Sequence, residues 1–138
     1  MQYDDPRAGF SSPDQKLESE GGLVHGGNYP VVTDSMSIGP IGPQEGRVEH
    51  LYGAMAYPIF IIGWDRVSMN WLRANREILE ENKALGFVVN VDSAESMQQI
   101  QAIAGDRLYL SAVNGDEISE TFDLYHYPAY IDHDGVLR

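Results

Sequence analysis

Apolar and polar positions divide the chain into two unlike parts. Residues 1–50 contain 13 glycine or proline residues, whereas residues 51–138 contain only 8. These frequent turn-formers predict a flexible leader over residues 1–28 and an extended, partly docked arm over residues 29–56. The arm's apolar positions, which can lie along a core or a partner, include Val31, Val32, Met36 and Ile38. A single folded domain is predicted over residues 57–138.

Runs of apolar and β-branched residues predict the strands of this domain. Each run has the length of a strand, and proline is tolerated at a strand's first position. The predicted strands are 57–62, 86–91, 107–113 and 128–132. After the last of them, "HDG" predicts a hairpin turn and "VLR" begins a further strand, which we expect to continue past residue 138.

Other segments repeat their apolar residues at the spacing of one helix face. The predicted helices are 68–84, 93–104 and 116–122. Ser68 and Asp92 are the predicted N-caps of the first two, because their side chains accept hydrogen bonds from free backbone N–H groups. The strand–helix–strand order predicts a right-handed parallel βαβ unit, to which the last strands add an antiparallel pair. The pattern therefore predicts a three-layer α/β domain with a mixed sheet.

Charge and cysteine content exclude several kinds of function. Nine Lys and Arg residues against 21 Asp and Glu give a formal net charge of −12, which repels phosphate backbones. We therefore expect no direct nucleic-acid binding. No apolar run approaches the roughly 18–20 residues that span a bilayer, so no transmembrane segment is predicted. Cysteine is absent, so the chain has no thiol nucleophile, disulfide or cysteine-ligated metal.

The segment "NGDEISETFDLYHYPAYIDHDGVL" resembles the second half of a thioredoxin fold. There a short helix leads to an apolar residue, a connection, a cis-proline, an edge strand and a glycine turn. "YPIFIIGWDRVSMNWL" resembles the first strand and the start of the first helix. The resemblance implies a thioredoxin-like domain with a cis-proline at Pro128. Redox members carry Cys-x-x-Cys at that helix N-terminus; the nearest match is Ser68-Met69-Asn70-Trp71, so no thiol–disulfide exchange is expected.

A closer resemblance covers residues 29–138. The blocks "YPVVTDSMSIGPI", "YPIFIIGWDRVSMNWL", "GFVVNVDS" and "LYHYPAYI" are similar, in order and spacing, to a protein family encoded in integrating conjugative elements. That family accompanies type IV secretion genes. The resemblance implies an exported, periplasmic protein in the setting of conjugative transfer. Our first hypothesis is a non-enzymatic accessory protein whose partners are other proteins of the secretion apparatus. The first residues contain no signal peptide, so the periplasmic location follows from the resemblance alone.

The expected working surface is a partner-binding groove. In a thioredoxin-like fold the residue before the cis-proline faces the first helix and can offer backbone groups to an extended peptide. Trp, Tyr and Met are suited to such contacts. The residues that we assign to the groove are Trp64, Ser68, Met69, Tyr125, Tyr127 and Pro128. Trp71 also lies nearby, and we expect it to belong to the core.

Two alternatives remain at this point. One is a metal-dependent hydrolase that uses His126 and His133 with the neighbouring Asp132 and Asp134. Because a hairpin turn favours Asp for backbone reasons, we assign no metal site. We also assign no catalytic residue and no cofactor-binding residue. The other is a structural subunit that self-assembles by exchanging its N-terminal arm with a neighbour, forming a homo-oligomer.

Overall fold

The computed structural model describes residues 24–25, 29–43, 45–46 and 57–132. Strands and helices alternate along most of this part of the chain. In chain order the elements are β1 (Val24–His25), β2 (Ser37–Ile38), β3 (Ile59–Gly63), α1 (Arg66–Glu81), β4 (Leu85–Asn90), α2 (Ala94–Ala104), β5 (Tyr109–Ala112), α3 (Asp116–Phe122), β6 (His126–Tyr127) and β7 (Ala129–Ile131). The predicted helices and main strands therefore occur, with boundaries that differ by up to three residues.

Of the described strands, five form one mixed sheet in the order β1-β5-β4-β3-β7. Strands β3, β4 and β5 run parallel because α1 and α2 provide the crossovers between them. β7 then pairs antiparallel with β3. The mixed α/β class predicted from the sequence is confirmed. β1 lies within the predicted leader and pairs with β5; the other residues of that leader are outside the described part.

Helices pack on both faces of this sheet. Phe60 and Ile62 of β3 point into a cluster with the buried sides of α1 and α2. Ile59 and Ile61, the alternate residues of the same strand, point into a second cluster with Leu124 and residues of α3. All five β3 positions are buried, as expected for a central strand covered on both faces.

Both predicted N-caps are wrong. α1 begins at Arg66, with Asp65 as its N-cap, and the Asp65 carboxylate accepts from Ser68 N–H at 2.7 Å. α2 begins after Ser93, not Asp92, and the Ser93 hydroxyl oxygen accepts from Ser96 N–H at 3.1 Å. Near the start of each helix, two residues have side chains that can cap. The one whose backbone is extended at the helix boundary, Asp65 or Ser93, is the N-cap.

The arm crosses the carboxyl end of the sheet. Val31 and Val91 exchange backbone hydrogen bonds of 2.8 and 3.0 Å, and β2 then pairs parallel with β6 as a separate two-stranded sheet. Met36, between these contacts, is buried in the second core cluster. The Tyr29–Pro30 and Tyr127–Pro128 peptide bonds are both cis. The described part of the arm thus lies against its own domain.

The predicted hairpin at 133–135 and the strand after it lie outside the described residues. Within the described part, no helix has both the length and the apolar character needed to cross a membrane.

Candidate protein-contact site

Asn90, at the carboxyl end of β4, joins three segments of the chain. Its backbone oxygen accepts from Trp64 N–H at 2.7 Å, directly after β3. Its side-chain oxygen accepts from Thr33 N–H of the arm at 2.8 Å. Its side-chain nitrogen donates to the Tyr127 hydroxyl at 3.0 Å. The arm, the turn before α1 and the residue before Pro128 therefore meet at one residue.

In the turn before α1, the side chains of Asp65 and Ser68 are hydrogen-bonded to each other. The Ser68 hydroxyl donates to the Asp65 carboxylate at 2.9 Å and accepts from Gly63 N–H at 3.1 Å. Ser68 is fully buried, so its hydroxyl serves the helix end and is not presented to a ligand. The segment Ser68-Met69-Asn70-Trp71 does not begin the helix, contrary to the expectation from the sequence. The two residues that stand three positions apart at the helix N-terminus are instead Asp65, which is the N-cap, and Ser68.

Tyr127 is packed inward and lies over Gly63. A Cβ atom at Gly63 would come within 2.7 Å of the Tyr127 ring, so this close approach requires glycine. Tyr127 is only 4% exposed. Burial raises the pKa of Tyr127, the Asn90 hydrogen bond opposes this, and the charge of Asp65 raises it further. The phenol therefore stays protonated at neutral pH and acts as part of the core.

The other residues of the predicted groove are placed unequally. Met69 is buried in the core, and Trp71 packs on Phe60 with ring centroids 6.0 Å apart. Trp64 packs against the same cluster but stays partly exposed, and Pro128 is also partly exposed. Of these four residues, Trp64 and Pro128 are thus the ones that a partner can most readily reach.

The strand edge before Pro128 already holds an extended segment of the same chain. Ser37 N–H donates to Tyr125 O at 3.0 Å, and Gly39 N–H donates to Tyr127 O at 3.2 Å. Tyr127, the residue before Pro128, is the one whose backbone groups were expected from the sequence to bind an extended peptide. No local sequence pattern indicates this pairing, because the paired residues are almost 90 positions apart in the sequence.

Glu45 anchors the far end of the arm. Its carboxylate accepts from Tyr125 N–H and Gly42 N–H, both at 2.7 Å, and lies 2.8 Å from His126 Nδ1. Burial raises the pKa of Glu45, but the hydrogen bonds from Gly42, Tyr125 and His126 outweigh it and leave the pKa below its ordinary value. Glu45 is thus held as a carboxylate. The sequence analysis did not single it out.

Tyr125 faces a different surface from Trp64. It is 47% exposed, and its hydroxyl donates to Asp123 at 2.7 Å, which raises the pKa of Tyr125. It borders an open, acidic cleft of about 480 Å³, together with Ser35, Asp116, Glu117, Ser119 and Glu120. The structure therefore divides the predicted groove between the turn before α1 and this cleft.

Two residues of the alternative metal site, His126 and Asp132, are described, and His126 contacts Glu45. His133 and Asp134 lie outside the described residues. Among the described residues, no group of three or more His, Asp or Glu side chains is placed to hold a metal ion.

Comparison with known proteins gives one family. The model of the family described as "Protein of unknown function (DUF2859)" matches residues 2–136, nearly the whole chain. The chain therefore belongs to this family. No curated protein and no solved structure matches it.

Proposed function

We propose that this DUF2859 family member is a non-enzymatic accessory protein of an integrating conjugative element. It acts through protein–protein contacts in a type IV secretion apparatus, on the periplasmic side of the membrane. The setting rests on the resemblance of residues 29–138 to proteins encoded in such elements. The mode of action rests on the geometry of the candidate site.

The domain is proposed to be thioredoxin-like, with Pro128 as its cis-proline. The order of elements supports this: α3 leads to the buried Leu124, then through β6 to Pro128 and to β7, which pairs antiparallel with β3. The helix α1 starts directly after β3, where redox members of that fold carry their dithiol. Here Asp65 and Ser68 stand at the helix end and bond to each other, so the position serves helix capping.

The observation that carries the proposal is the bound arm. The strand edge formed by Tyr125 and Tyr127 holds residues 37–39 through backbone hydrogen bonds, which is how such an edge binds an extended polypeptide. Trp64, in the turn before α1, and Tyr125, at the acidic cleft, each present partly exposed aromatic surface of the kind that anchors protein contacts. A surface that holds one extended segment is suited to protein recognition.

The test is conjugative transfer from a donor that lacks this gene. The donor is complemented with wild type, with a Trp64→Ala, Tyr125→Ala double variant, or with Tyr57→Ala. Tyr57 is a matched control: it is 49% exposed and precedes β3 at the opposite, amino end of that strand. Tyr127→Ala is avoided because Tyr127 belongs to the core, and its loss would confuse misfolding with lost contact.

We expect deletion to abolish transfer, wild type and Tyr57→Ala to restore it, and the double variant to restore at most about a tenth of it. Thermal melting and cellular abundance must match wild type for this comparison. Normal transfer from the deleted donor would refute the conjugative role. Full restoration by the double variant would refute the proposed contact surface.

A further inference from the structure

Helix α1 carries apolar side chains on a flank that the described chain leaves open. Val67 and Ile78 are each 52% exposed, although both belong to the helix. Trp71 and Ala74 lie between them, so the four residues are spaced by four, three and four positions. This spacing places them within an arc of roughly 60° around the helix axis. This apolar stripe consists of Val67, Trp71, Ala74 and Ile78.

The stripe borders the face that α1 turns to the core, and its Trp71 is half-buried because the ring also packs on Phe60. Leu72 and Leu79, which are buried, lie about a third of a turn away from it. Arg76, roughly on the opposite side of the helix from the stripe, reaches Ile103 O of α2 at 3.5 Å. The stripe is therefore on the flank that faces away from α2.

Apart from the Asp65 carboxylate at the N-cap, the charges near the two ends of α1 are arranged against the helix dipole. After the N-cap the first turn contains Arg66 and no acidic residue, and the last turn contains Glu80 and Glu81 and no basic residue. A helix is stabilised by negative charge near its N-terminus and positive charge near its C-terminus. Asp65 already supplies negative charge at the N-terminus, so the C-terminus is the end that lacks a favourable charge, and an antiparallel neighbour brings its Arg66 there.

We propose that α1 pairs antiparallel with α1 of a second copy of this chain, through the apolar stripe. A two-fold axis beside positions 72 and 73 sets Val67 against Ile78 of the second copy, and Trp71 against Ala74 of the second copy. The second pair sets the accessible part of the half-buried Trp71 beside the small, exposed Ala74. The same register brings Arg66 within a turn of Glu81 of the second copy.

The size of this contact sets its strength. One helix pair buries less than the roughly 1,200 Å² that marks the lower end of stable interfaces. The net charge of −12 also opposes self-association, although physiological salt screens this repulsion beyond about 8 Å. We therefore expect a weak dimer with a dissociation constant on the order of tens of micromolar.

The test uses the register that the two-fold axis requires. Val67→Lys and Ile78→Glu are each made alone and together, and sedimentation equilibrium is measured in 0.15 M salt up to about 500 µM protein. Each single variant places an unpaired charge at both ends of the contact. The double variant sets the introduced lysine of one copy against the introduced glutamate of the other. Within one chain the two positions are about 16 Å apart, so the introduced charges cannot pair there.

We expect wild type to dimerise, each single variant to dimerise at least about tenfold more weakly, and the double variant to recover at least about fivefold. Gln99→Lys and Gln98→Glu, exposed positions on α2, are the charge-matched controls and should behave as wild type. A wild type that stays monomeric throughout overturns the proposal. So do single variants that dimerise normally, or a double variant that recovers nothing although circular dichroism shows it folded.

Discussion

The core beneath α1 and α2 and the contact between the arm and the domain are stabilised by different kinds of interaction. Phe60, Leu72 and Val88 are completely buried among other apolar side chains, which attract one another without fixed direction. The arm combines apolar contacts, such as that of the buried Met36, with directed hydrogen bonds, and two of its buried side chains, Thr33 and Glu45, are polar. The arm's position therefore depends in part on a few matched donors and acceptors.

This difference has a dynamic consequence. Opening the arm exposes Met36 and the partly buried Val31, but much of its other apolar surface is already in solvent, since Val32 is 55% exposed and Ile38 46% exposed while the arm is docked. Opening the core exposes whole side chains that are otherwise dry. Segments with few buried apolar contacts open locally at lower free energy than the global unfolding of the protein. We therefore expect the arm to open while the sheet stays folded.

The largest effect should come from the core. Phe60→Ala removes a fully buried ring that touches both Trp71 and the space over Gly86, and should lower the free energy of unfolding by about 3–5 kcal/mol. Urea denaturation measures this. Amide exchange should accelerate throughout the sheet and the arm alike. A loss below about 1 kcal/mol would show that this side of the sheet is not the main source of stability.

An intermediate effect should come from Thr33, which is 2% exposed. Its hydroxyl donates to Val89 O and accepts from Gly115 N–H, both at 2.7 Å. Thr33→Val keeps the shape but leaves both backbone groups unpaired, and should cost about 1–3 kcal/mol. Hydrogen exchange followed by mass spectrometry should show faster exchange over residues 31–39 and at Gly115, with β3 and β4 unchanged. Equal acceleration in β3 and β4 would mean that the arm and the core open together.

The smallest effect should come from Glu45, and it should depend on pH. Its pKa is lower in the folded state, so the unfolded chain binds the proton more readily and stability rises with pH across this window. The contribution is complete above the ordinary carboxyl pKa and is lost as pH falls through the lower folded value. Glu45→Gln should cost about 1–2 kcal/mol at pH 7, and the difference from wild type should shrink on acidification toward pH ~3.5.

Urea midpoints of wild type and Glu45→Gln at several pH values measure that difference, because the other carboxyl groups titrate in both proteins. A difference that stays constant down to pH ~3.5 would assign the effect of Glu45 to packing, with no contribution from its charge.

Much of the fold could be predicted because its strands and helices have strong local patterns. The run around Phe60 is apolar at every position, and the helix through Leu72 and Leu79 repeats its apolar residues every three to four positions. The helix starts could not be fixed in the same way. Asp65 and Ser68, like Asp92 and Ser93, are all good capping residues, and only the backbone conformation separates them.

The candidate site was less accessible to sequence reasoning, for a physical reason. Trp64 and Pro128 were found from residue type and resemblance. The long-range contacts of Thr33, Glu45 and Asn90 join residues that are 37 to 82 positions apart, and hydrogen bonds over such separations leave no periodic signal. The occupation of the Tyr127 edge by the arm is of this kind.

The same long separations set the order of events when the protein is made. Thr33 leaves the ribosome 82 residues before Gly115, from whose N–H it accepts a hydrogen bond, and Glu45 leaves 80 residues before Tyr125. At 5–20 residues per second this is a delay of about 4–16 s. During that interval the arm has been synthesised but the part of its binding surface that includes Gly115 and Tyr125 has not. Docking of the arm is consequently a late step in the biogenesis of the protein.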